Sequence, residues 1–255
     1  MRKQTIENPG TLYFGKGNAK LGPNVATFSI PAGHTCPGAM DCLSKFDRLK
    51  LKLIDGPHLR HRCFAASTEA ARPSVRRSTD RNWKLLLGAK SQEVMASLIH
   101  HSIPGRAFDT IRVHVSGDFY NMDYLLAWLA AAKINDDRLF YAYTKSLNFL
   151  VKAMEMKMVP PNFVFTASRG GKFDHLIDKY GLREAVVVHH PEEAERLGLA
   201  TDHDDSLARD PEVAKFALLL HGQQPAGSLA AASMRRMKKE GVKNSYGKKS
   251  KPHKV

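Results

Sequence analysis

Short apolar runs alternate along most of the chain with longer runs in which apolar residues recur at helical spacing. The short runs are rich in β-branched and aromatic residues, and this composition is typical of strands. Six of them are expected to be strands: VATFSI (25–30), DTIRVHVSGDF (109–119), RLFYAYTKS (138–146), NFVFTASRGG (162–171), EAVVVHH (184–190) and KFALLLHG (215–222). For the last run, periodicity alone does not separate a strand from a buried helix, and we take it as a strand.

The longer runs carry the start and stop signals of helices. Asn121 can cap the apolar run that follows it, Pro160 ends the run that begins at Leu147, and Pro191 suits a first helical position. The predicted helices are 122–134, 147–159, 172–181, 191–198, 227–241 and a single long one from Arg81 to His101.

Strands that alternate with helices predict a parallel sheet whose strands are joined by right-handed crossovers. Six such units can form a partial (β/α)6 barrel or a doubly wound open sheet, and we favour the barrel because polar residues recur at the strand ends. We expect one α/β barrel-like domain over residues 1–240, with a cysteine-bearing, cluster-binding loop at 31–64 after the first strand. Residues 241–255 are expected to be a basic, flexible tail.

The ends of the predicted strands carry polar residues that can bind a ligand. Because the carboxyl ends of parallel strands meet at one edge, we expect these residues to share a ligand-binding site. An aspartate there suits a ligand ammonium, and a lysine or arginine suits a carboxylate or phosphate. The pattern assigns no catalytic residue. The candidate ligand-binding residues are Ser116, Gly117, Asp118, Thr144, Lys145, Ser168, Arg169, His189 and His221.

Composition places the chain among soluble proteins. Of its 255 residues, 43% are hydrophobic and 25% are charged, which is enough apolar material for a core. The opening MRKQTIENPG has no apolar run of the signal-peptide kind, and no stretch approaches the roughly 18 apolar residues of a membrane span. We therefore expect a cytoplasmic protein without a membrane partner, in which thiols stay reduced.

The net charge of +14 is concentrated in two segments. Residues 235–255 hold nine Lys or Arg against one acid, and residues 36–84 hold eleven against five. The basic tail is expected to be a solvated end, with weak nucleic-acid binding as the alternative. A group of arginines in the second segment is either a solvated face or a patch that contacts phosphate. Its members are Arg72, Arg76, Arg77 and Arg81.

All three cysteines of the chain, Cys36, Cys42 and Cys63, follow the first predicted strand. Five residues separate the first two, and twenty separate the last two. An odd number of thiols in a reducing compartment indicates metal binding rather than a disulfide framework. A [4Fe–4S] cluster takes four ligands, so three thiolates leave one iron open to water, another side chain or a small-molecule ligand. We expect such a cluster on these three cysteines.

A structural zinc site is the main alternative, because one histidine would complete a Cys3His ligand set. The chain would then be a basic nucleic-acid-binding protein in which the zinc ion has a structural role. The spacing lacks the short paired knuckles usual in such zinc sites, which favours the cluster. A third alternative is a redox or regulatory cluster protein without catalysis. The histidines near the cysteines are His34, His58 and His61.

An acidic stretch, ATDHDDSLARD (200–210), offers a further candidate site. Its carboxylates either bind a divalent cation or belong to a polar loop that caps the next helix. We take the second interpretation.

Six phrases of the sequence resemble, in the same order, a family of phage proteins known as gene product eighty-eight. They are ATFSIPAGHTCPGAMDC, CFAAS, RVHVSGDFYN, YAYTKS, FTASRGG and FALLLHGQQPAGSLAA, and they span residues 26–231. The resemblance implies a phage protein, in the cytoplasm of the host cell, with a cofactor bound by its cysteines.

The position of the cysteines after the first strand also resembles the radical S-adenosylmethionine superfamily. That resemblance implies a TIM-barrel-like six-unit partial barrel, a [4Fe–4S] cluster, and S-adenosylmethionine bound to the open iron. It places VSGDF (115–119) where the superfamily contacts the methionine amino group, and TKS and SRGG where it contacts ribose and carboxylate. The cysteine spacing here is longer than the compact spacing of that superfamily. The implied activity is that of an iron–sulfur enzyme acting on a small ligand.

Overall fold

In the computed structural model, which describes residues 10–17, 20–105 and 107–243, six parallel strands lie side by side in chain order. The strands are β1 (Gly15–Lys16), β2 (Val25–Ser29), β3 (Ser44–Asp47), β4 (Lys52–Asp55), β5 (Thr110–Ser116), β6 (Leu139–Thr144), β7 (Phe163–Ser168), β8 (Glu184–Val188) and β9 (Lys215–Leu219). The helices are α1 (Phe64–Ala71), α2 (Pro73–Gly88), α3 (Gln92–Ser102), α4 (Met122–Ile134), α5 (Leu147–Glu155), α6 (His175–Tyr180), α7 (Pro191–Arg196), α8 (Ser206–Arg209) and α9 (Leu229–Lys239).

The strand order is that of a singly wound, partial barrel. The main sheet runs β1-β2-β5-β6-β7-β8-β9, in which β1 pairs antiparallel with β2 and every other pair is parallel. A doubly wound sheet needs a reversal of strand order at a switch point, and this order has none. Because such crossovers are right-handed, an unreversed order places the connecting helices on one face. The predicted α/β fold is confirmed.

Two hydrophobic clusters lie on the two faces of the sheet. Val25 of β2, Tyr141 of β6 and Phe216 of β9 belong to one cluster, so the first and last parallel strands share a core. Ile111 of β5 and Trp128 of α4 belong to the other, which also takes in α3. The sheet therefore encloses one core and carries helices over the other, as a partial barrel does.

The long helix predicted from Arg81 to His101 is wrong, because this stretch belongs to two helices. The backbone of Ala89 is extended and ends α2. The Ser91 hydroxyl then accepts a hydrogen bond from the Val94 amide and caps α3. The two helices pack differently from one continuous rod, and α3 lies against α4.

The segment 31–64, expected as a loop, contains a two-stranded antiparallel hairpin. Its strands, β3 and β4, pair with each other and form a separate small sheet. The twenty residues between Cys42 and Cys63 are therefore an insertion with its own structure. The tail from residue 244 onward lies outside the described residues. In the part of the chain that the structure describes, no helix is long and apolar enough to cross a membrane.

Candidate metal centre

The first half of the cysteine-bearing segment folds over the carboxyl ends of β6 and β7. The Asp41 amide donates to the Gly170 carbonyl at 2.9 Å, and the Lys172 amide donates to the Gly38 carbonyl at 2.9 Å. A Cβ added at Gly38 would lie 2.0 Å from the carbonyl oxygen of Lys145. Glycine is therefore required here, because the cysteine loop touches the backbone that follows β6.

The second half of the segment is fastened to the loop after β9. The Arg62 amide donates to Gln224 Oε1 at 2.7 Å, and the Ser67 hydroxyl donates to the Gln223 carbonyl at 3.4 Å. Between these contacts, Cys63 forms the N-cap position of α1. The cysteine segment thus spans the mouth of the barrel from β6 to β9.

The three thiols are partly buried and close enough to influence one another. Burial raises the pKa of Cys36, and the neighbouring Asp118, Cys63 and Cys42 add to the increase. Burial and the Cys42 thiol raise the pKa of Cys63 to about 12, although the nearby amides of α1 oppose this. The Gly33 amide donates to Cys36 Sγ at 3.3 Å. The fold therefore gathers all three cysteines at one place.

The arrangement differs from a site for one metal ion. A single tetrahedral Zn²⁺, with Zn–S bonds of about 2.3 Å, holds its ligand atoms only about 4 Å apart. Across the described residues, no group of three or more His, Cys, Asp or Glu side chains is placed so that it could hold a metal ion. His34 donates from Nε2 to the Phe46 carbonyl at 3.0 Å, and His58 is exposed. In a [4Fe–4S] cluster each thiolate binds its own iron, so the thiolates need not lie as close together as the ligands of one Zn²⁺.

Asp118 joins the ends of β5 and β6 from a buried position. Its Oδ1 accepts hydrogen bonds from the Phe119 amide at 2.7 Å and the Thr144 hydroxyl at 2.6 Å, and its Oδ2 accepts from the Lys145 amide at 2.8 Å. Burial raises the pKa of Asp118, and these hydrogen bonds offset part of that rise. A structural role accounts for this carboxylate, whose Oδ2 accepts only one of the two hydrogen bonds that an oxygen can accept.

A bulge in β5 directs the turn formed by residues 116–118 towards this site. His114 has a φ of +65°, and the register with β2 shifts beside it. Gly117 follows with a φ of +86°, and an added Cβ would lie 2.4 Å from Ile30. The glycine lets the backbone after β5 pass directly beneath the cysteine loop.

Glu69 is a site residue that the sequence did not reveal. Its buried carboxylate accepts from the Ala32 amide at 2.7 Å, the Ser116 hydroxyl at 2.9 Å and the Arg48 guanidinium at 2.8 Å. It connects α1, the start of the cysteine loop, the end of β5 and the hairpin. The one sequence signal is a single acid among the small residues of FAASTEAA, the sequence of α1.

Lys145 ties the end of β6 to the end of β7. Its ammonium donates to the Ser168 carbonyl at 2.7 Å, the Ser168 hydroxyl at 3.0 Å and the Arg169 carbonyl at 2.6 Å. Burial raises the pKa of Cys42, and the positive charge of Lys145 offsets part of this increase. Lys145 therefore places a positive charge beside the thiols, with its three donor hydrogens already engaged.

Arg169 turns away from the shared site. Its guanidinium pairs with Glu184 and, at 2.9 Å, with Asp178. These two carboxylates neutralise the charge that was expected to hold a ligand carboxylate. The geometry therefore does not support that role for Arg169.

Three histidines surround the same mouth. The ring centres of His61 and His189 are 6.4 Å apart, and the His221 ring lies 4.7 Å from that of Phe64. Burial, Lys145 and the neighbouring histidines lower the pKa of His61 to about 4, and burial also lowers that of His221. These two rings are therefore neutral imidazoles near pH 7, able to donate and accept hydrogen bonds.

The acidic stretch forms part of the barrel interior. Asp205 pairs with Lys20 at 2.8 Å and Arg112 at 2.7 Å, and it accepts from the Tyr141 hydroxyl at 3.0 Å. Asp202 accepts from the Ala208 amide at 3.1 Å. The interpretation as a polar, capping loop agrees with these contacts.

The fold and the site define an α/β partial barrel with three interacting thiols and a cationic lysine at the carboxyl ends of its strands. The chain belongs to the Gene product 88 family, whose profile matches residues 7–240, and the predicted resemblance to that phage family is confirmed. Searches of curated proteins and of solved structures each found no match. The resemblance to the radical S-adenosylmethionine superfamily stays a hypothesis.

Proposed function

We propose that this chain is an iron–sulfur protein in which Cys36, Cys42 and Cys63 hold a [4Fe–4S] cluster with one iron open to a small ligand. One observation carries the proposal: hydrogen bonds fix the segment that holds all three cysteines across the carboxyl ends of the barrel strands. That edge is where barrels of this kind assemble their ligand sites.

The chemistry of the donor set fits the group. Three thiolates satisfy three irons of a cubane, and the Gly33 amide at 3.3 Å from Cys36 Sγ is the type of hydrogen bond that tunes such a cluster. Lys145 beside Cys42 offsets the negative charge of a cluster bound to thiolates. The proposal does not require the three thiols to share one ion.

A bound cluster would supply an iron that can ligate a small molecule and exchange electrons. The residues of the chain would orient that molecule. His61, His189 and His221 line the mouth with hydrogen-bonding imidazoles, and Asp118 Oδ2 can accept from a ligand ammonium. An amino-acid-like ligand matches these groups, and S-adenosylmethionine is the first one to test. Whether the protein is an enzyme depends on that ligand.

Anaerobic reconstitution tests the proposal. The purified chain should turn brown, absorb broadly near ~400 nm and bind four irons and four sulfides per chain, as a [4Fe–4S] cluster requires. Cys36→Ala, Cys42→Ala and Cys63→Ala should each lose most of the iron, because a missing thiolate leaves a second iron unligated. Ser97→Ala on the exposed surface of α3 is the matched control and should retain the cluster.

Two outcomes would contradict the proposal. A colourless protein that copurifies with one zinc per chain would favour the Cys3His alternative with a nucleic-acid partner. Full retention of iron and sulfide in Cys63→Ala would remove that thiol from the ligand set.

A further inference from the structure

The β3–β4 hairpin presents two leucines to solvent. Leu49 is 95% exposed and Leu51 is 71% exposed. Leu51 also has a φ of +49°, a left-handed conformation that a leucine adopts only at a cost in free energy. The amides of Leu49 and Lys50 both donate to Asp47 Oδ1 at 2.9 Å, so the turn is well defined. A strained apolar residue without burial indicates a role outside the packing of this chain.

Basic side chains accompany these leucines. Lys45, Lys50 and Lys52 are all exposed on the same small hairpin. Asp47 is the acid at the tip, and its carboxylate accepts the two turn amides. The hairpin therefore combines an apolar tip with positive flanks.

The hairpin is fastened to α2, so the two form one unit. Arg48, at the start of the turn, pairs with Asp80 of α2 at 2.8 Å and with Glu69 at 2.8 Å. The guanidinium of Arg76 lies 4.3 Å from the ring centre of Phe46 on β3. These contacts hold the hairpin against one side of the helix.

The outward side of α2 continues the positive charge. Arg77, Arg81 and Lys84 are exposed at positions i, i+4 and i+7, which share one helix face. Within the described residues, Arg77 and Arg81 make no ion pair with a carboxylate. They border a surface cavity of about 440 Å³ that is also lined by Tyr13, Ser74, Val75 and Ser78. Two planar guanidinium groups at the edge of one cavity suit the oxygens of a phosphate.

We propose that this hairpin–helix surface binds duplex nucleic acid. It is formed by Lys45, Leu49, Lys50, Leu51, Lys52, Arg77, Arg81 and Lys84. The arginines and lysines contact the phosphate backbone, and the leucines insert into a groove, as apolar wedges do in proteins that bend DNA. Two leucines offer little area for burial in a lipid bilayer. Two exposed arginines on one helix face, without a carboxylate partner among the described residues, favour the phosphates of a nucleic acid. The proposal does not depend on the cluster.

Binding of a labelled 20-base-pair DNA duplex to the full chain, followed by fluorescence anisotropy at several salt concentrations, tests the proposal. Arg77→Gln/Arg81→Gln should reduce the slope of log K against log salt by about 1.8, because each phosphate contact contributes about 0.9. If the two salt plots meet at 1 M, affinity at 0.1 M should fall about 60-fold. Leu51→Asn should also weaken binding while the melting temperature stays equal or rises, since asparagine tolerates a positive φ.

The matched control is Lys133→Gln/Lys152→Gln, which removes two exposed positive charges from α4 and α5. It should change the slope by much less than the α2 double variant. An equal effect of both double variants would overturn the proposal, because binding would then follow net charge alone. Binding to phosphatidylserine vesicles but not to the duplex would overturn it in favour of a membrane. Iron content should be measured on the same samples, so that a loss of DNA binding can be distinguished from a loss of the cluster.

Discussion

His114 is held in a strained and buried place at the bulge of β5. Its ring accepts or donates one hydrogen bond, with the Tyr124 hydroxyl at 2.9 Å, and burial lowers its pKa to about 3. The unfolded chain takes up a proton at this residue near pH 6.5, but the folded protein does not. Stability should therefore decrease as the pH falls from 6.5 towards 3, and it should be unaffected by this residue above 6.5.

His114→Asn tests that statement. Asparagine tolerates the left-handed backbone and does not titrate, so the variant should lose less stability on acidification. Between pH 6.5 and pH 5 the histidine should cost the wild type about 1.6 kcal/mol, because the unfolded residue is half protonated at pH 6.5 and the full slope of 1.36 kcal/mol per pH unit applies only below it. Urea unfolding at both pH values measures this difference. An equal loss in both proteins would show that His114 takes up a proton while folded.

We expect the hydrogen bonds of Asp118 to stabilise the folded protein independently of any ligand. In the wild type, one Asp118 oxygen accepts from the Phe119 amide and the other accepts from the Lys145 amide. In Asp118→Asn, the side-chain NH2 group replaces one of these oxygens in either orientation, so it faces a backbone N–H donor. We expect a loss of about 2–3 kcal/mol in the free energy of unfolding. Thr144→Ser keeps the hydroxyl, which donates to Asp118 and accepts from the Ser146 amide at 3.0 Å, so it should cost only about 1 kcal/mol for the lost methyl group. Equal effects of the two variants in chemical unfolding would contradict this assignment.

At the scale of elements, the cysteine loop depends on the glycine at its closest approach. Gly38→Ala puts a Cβ 2.0 Å from the Lys145 carbonyl oxygen, so the loop must move away from β6. We expect a stability loss of about 1–3 kcal/mol and less than half of the wild-type iron after reconstitution. Gly88→Ala, where nothing lies within 4 Å, is the control. Iron binding by Gly38→Ala equal to that of the control would show that the cysteines tolerate a displaced loop.

The alternation of apolar runs was sufficient to predict the six parallel strands and most helices, because both periods are strong in this chain. It did not predict the hairpin, since SKFDRLKLKLID has an apolar pattern but an exposed tip. The break between α2 and α3 was missed because GAKS interrupts an otherwise continuous helical pattern at Gly88–Ser91. Exposure and capping are decided by neighbours that a single sequence does not identify.

At the scale of the whole molecule, strand order decides which residues meet. The alternation fits a doubly wound sheet as well, and the polar strand ends favoured the unreversed order of a barrel. That order brings Asp118, Thr144, Lys145 and Ser168 into one hydrogen-bonded series. The direction of each side chain could not be foreseen. Arg169 follows a strand end like its neighbours, yet Glu184 and Asp178 draw it to the outside.

Mössbauer spectroscopy of the chain reconstituted with ⁵⁷Fe tests the central claim most directly, because it reports each iron separately. Three thiolates and one open position predict two kinds of iron in a ratio of three to one. Addition of S-adenosylmethionine, or of a small thiol, should shift the signal of the single iron and leave the other three unchanged. Four equivalent irons, fewer than four irons per chain, or no bound iron at all would contradict a cluster with one open site.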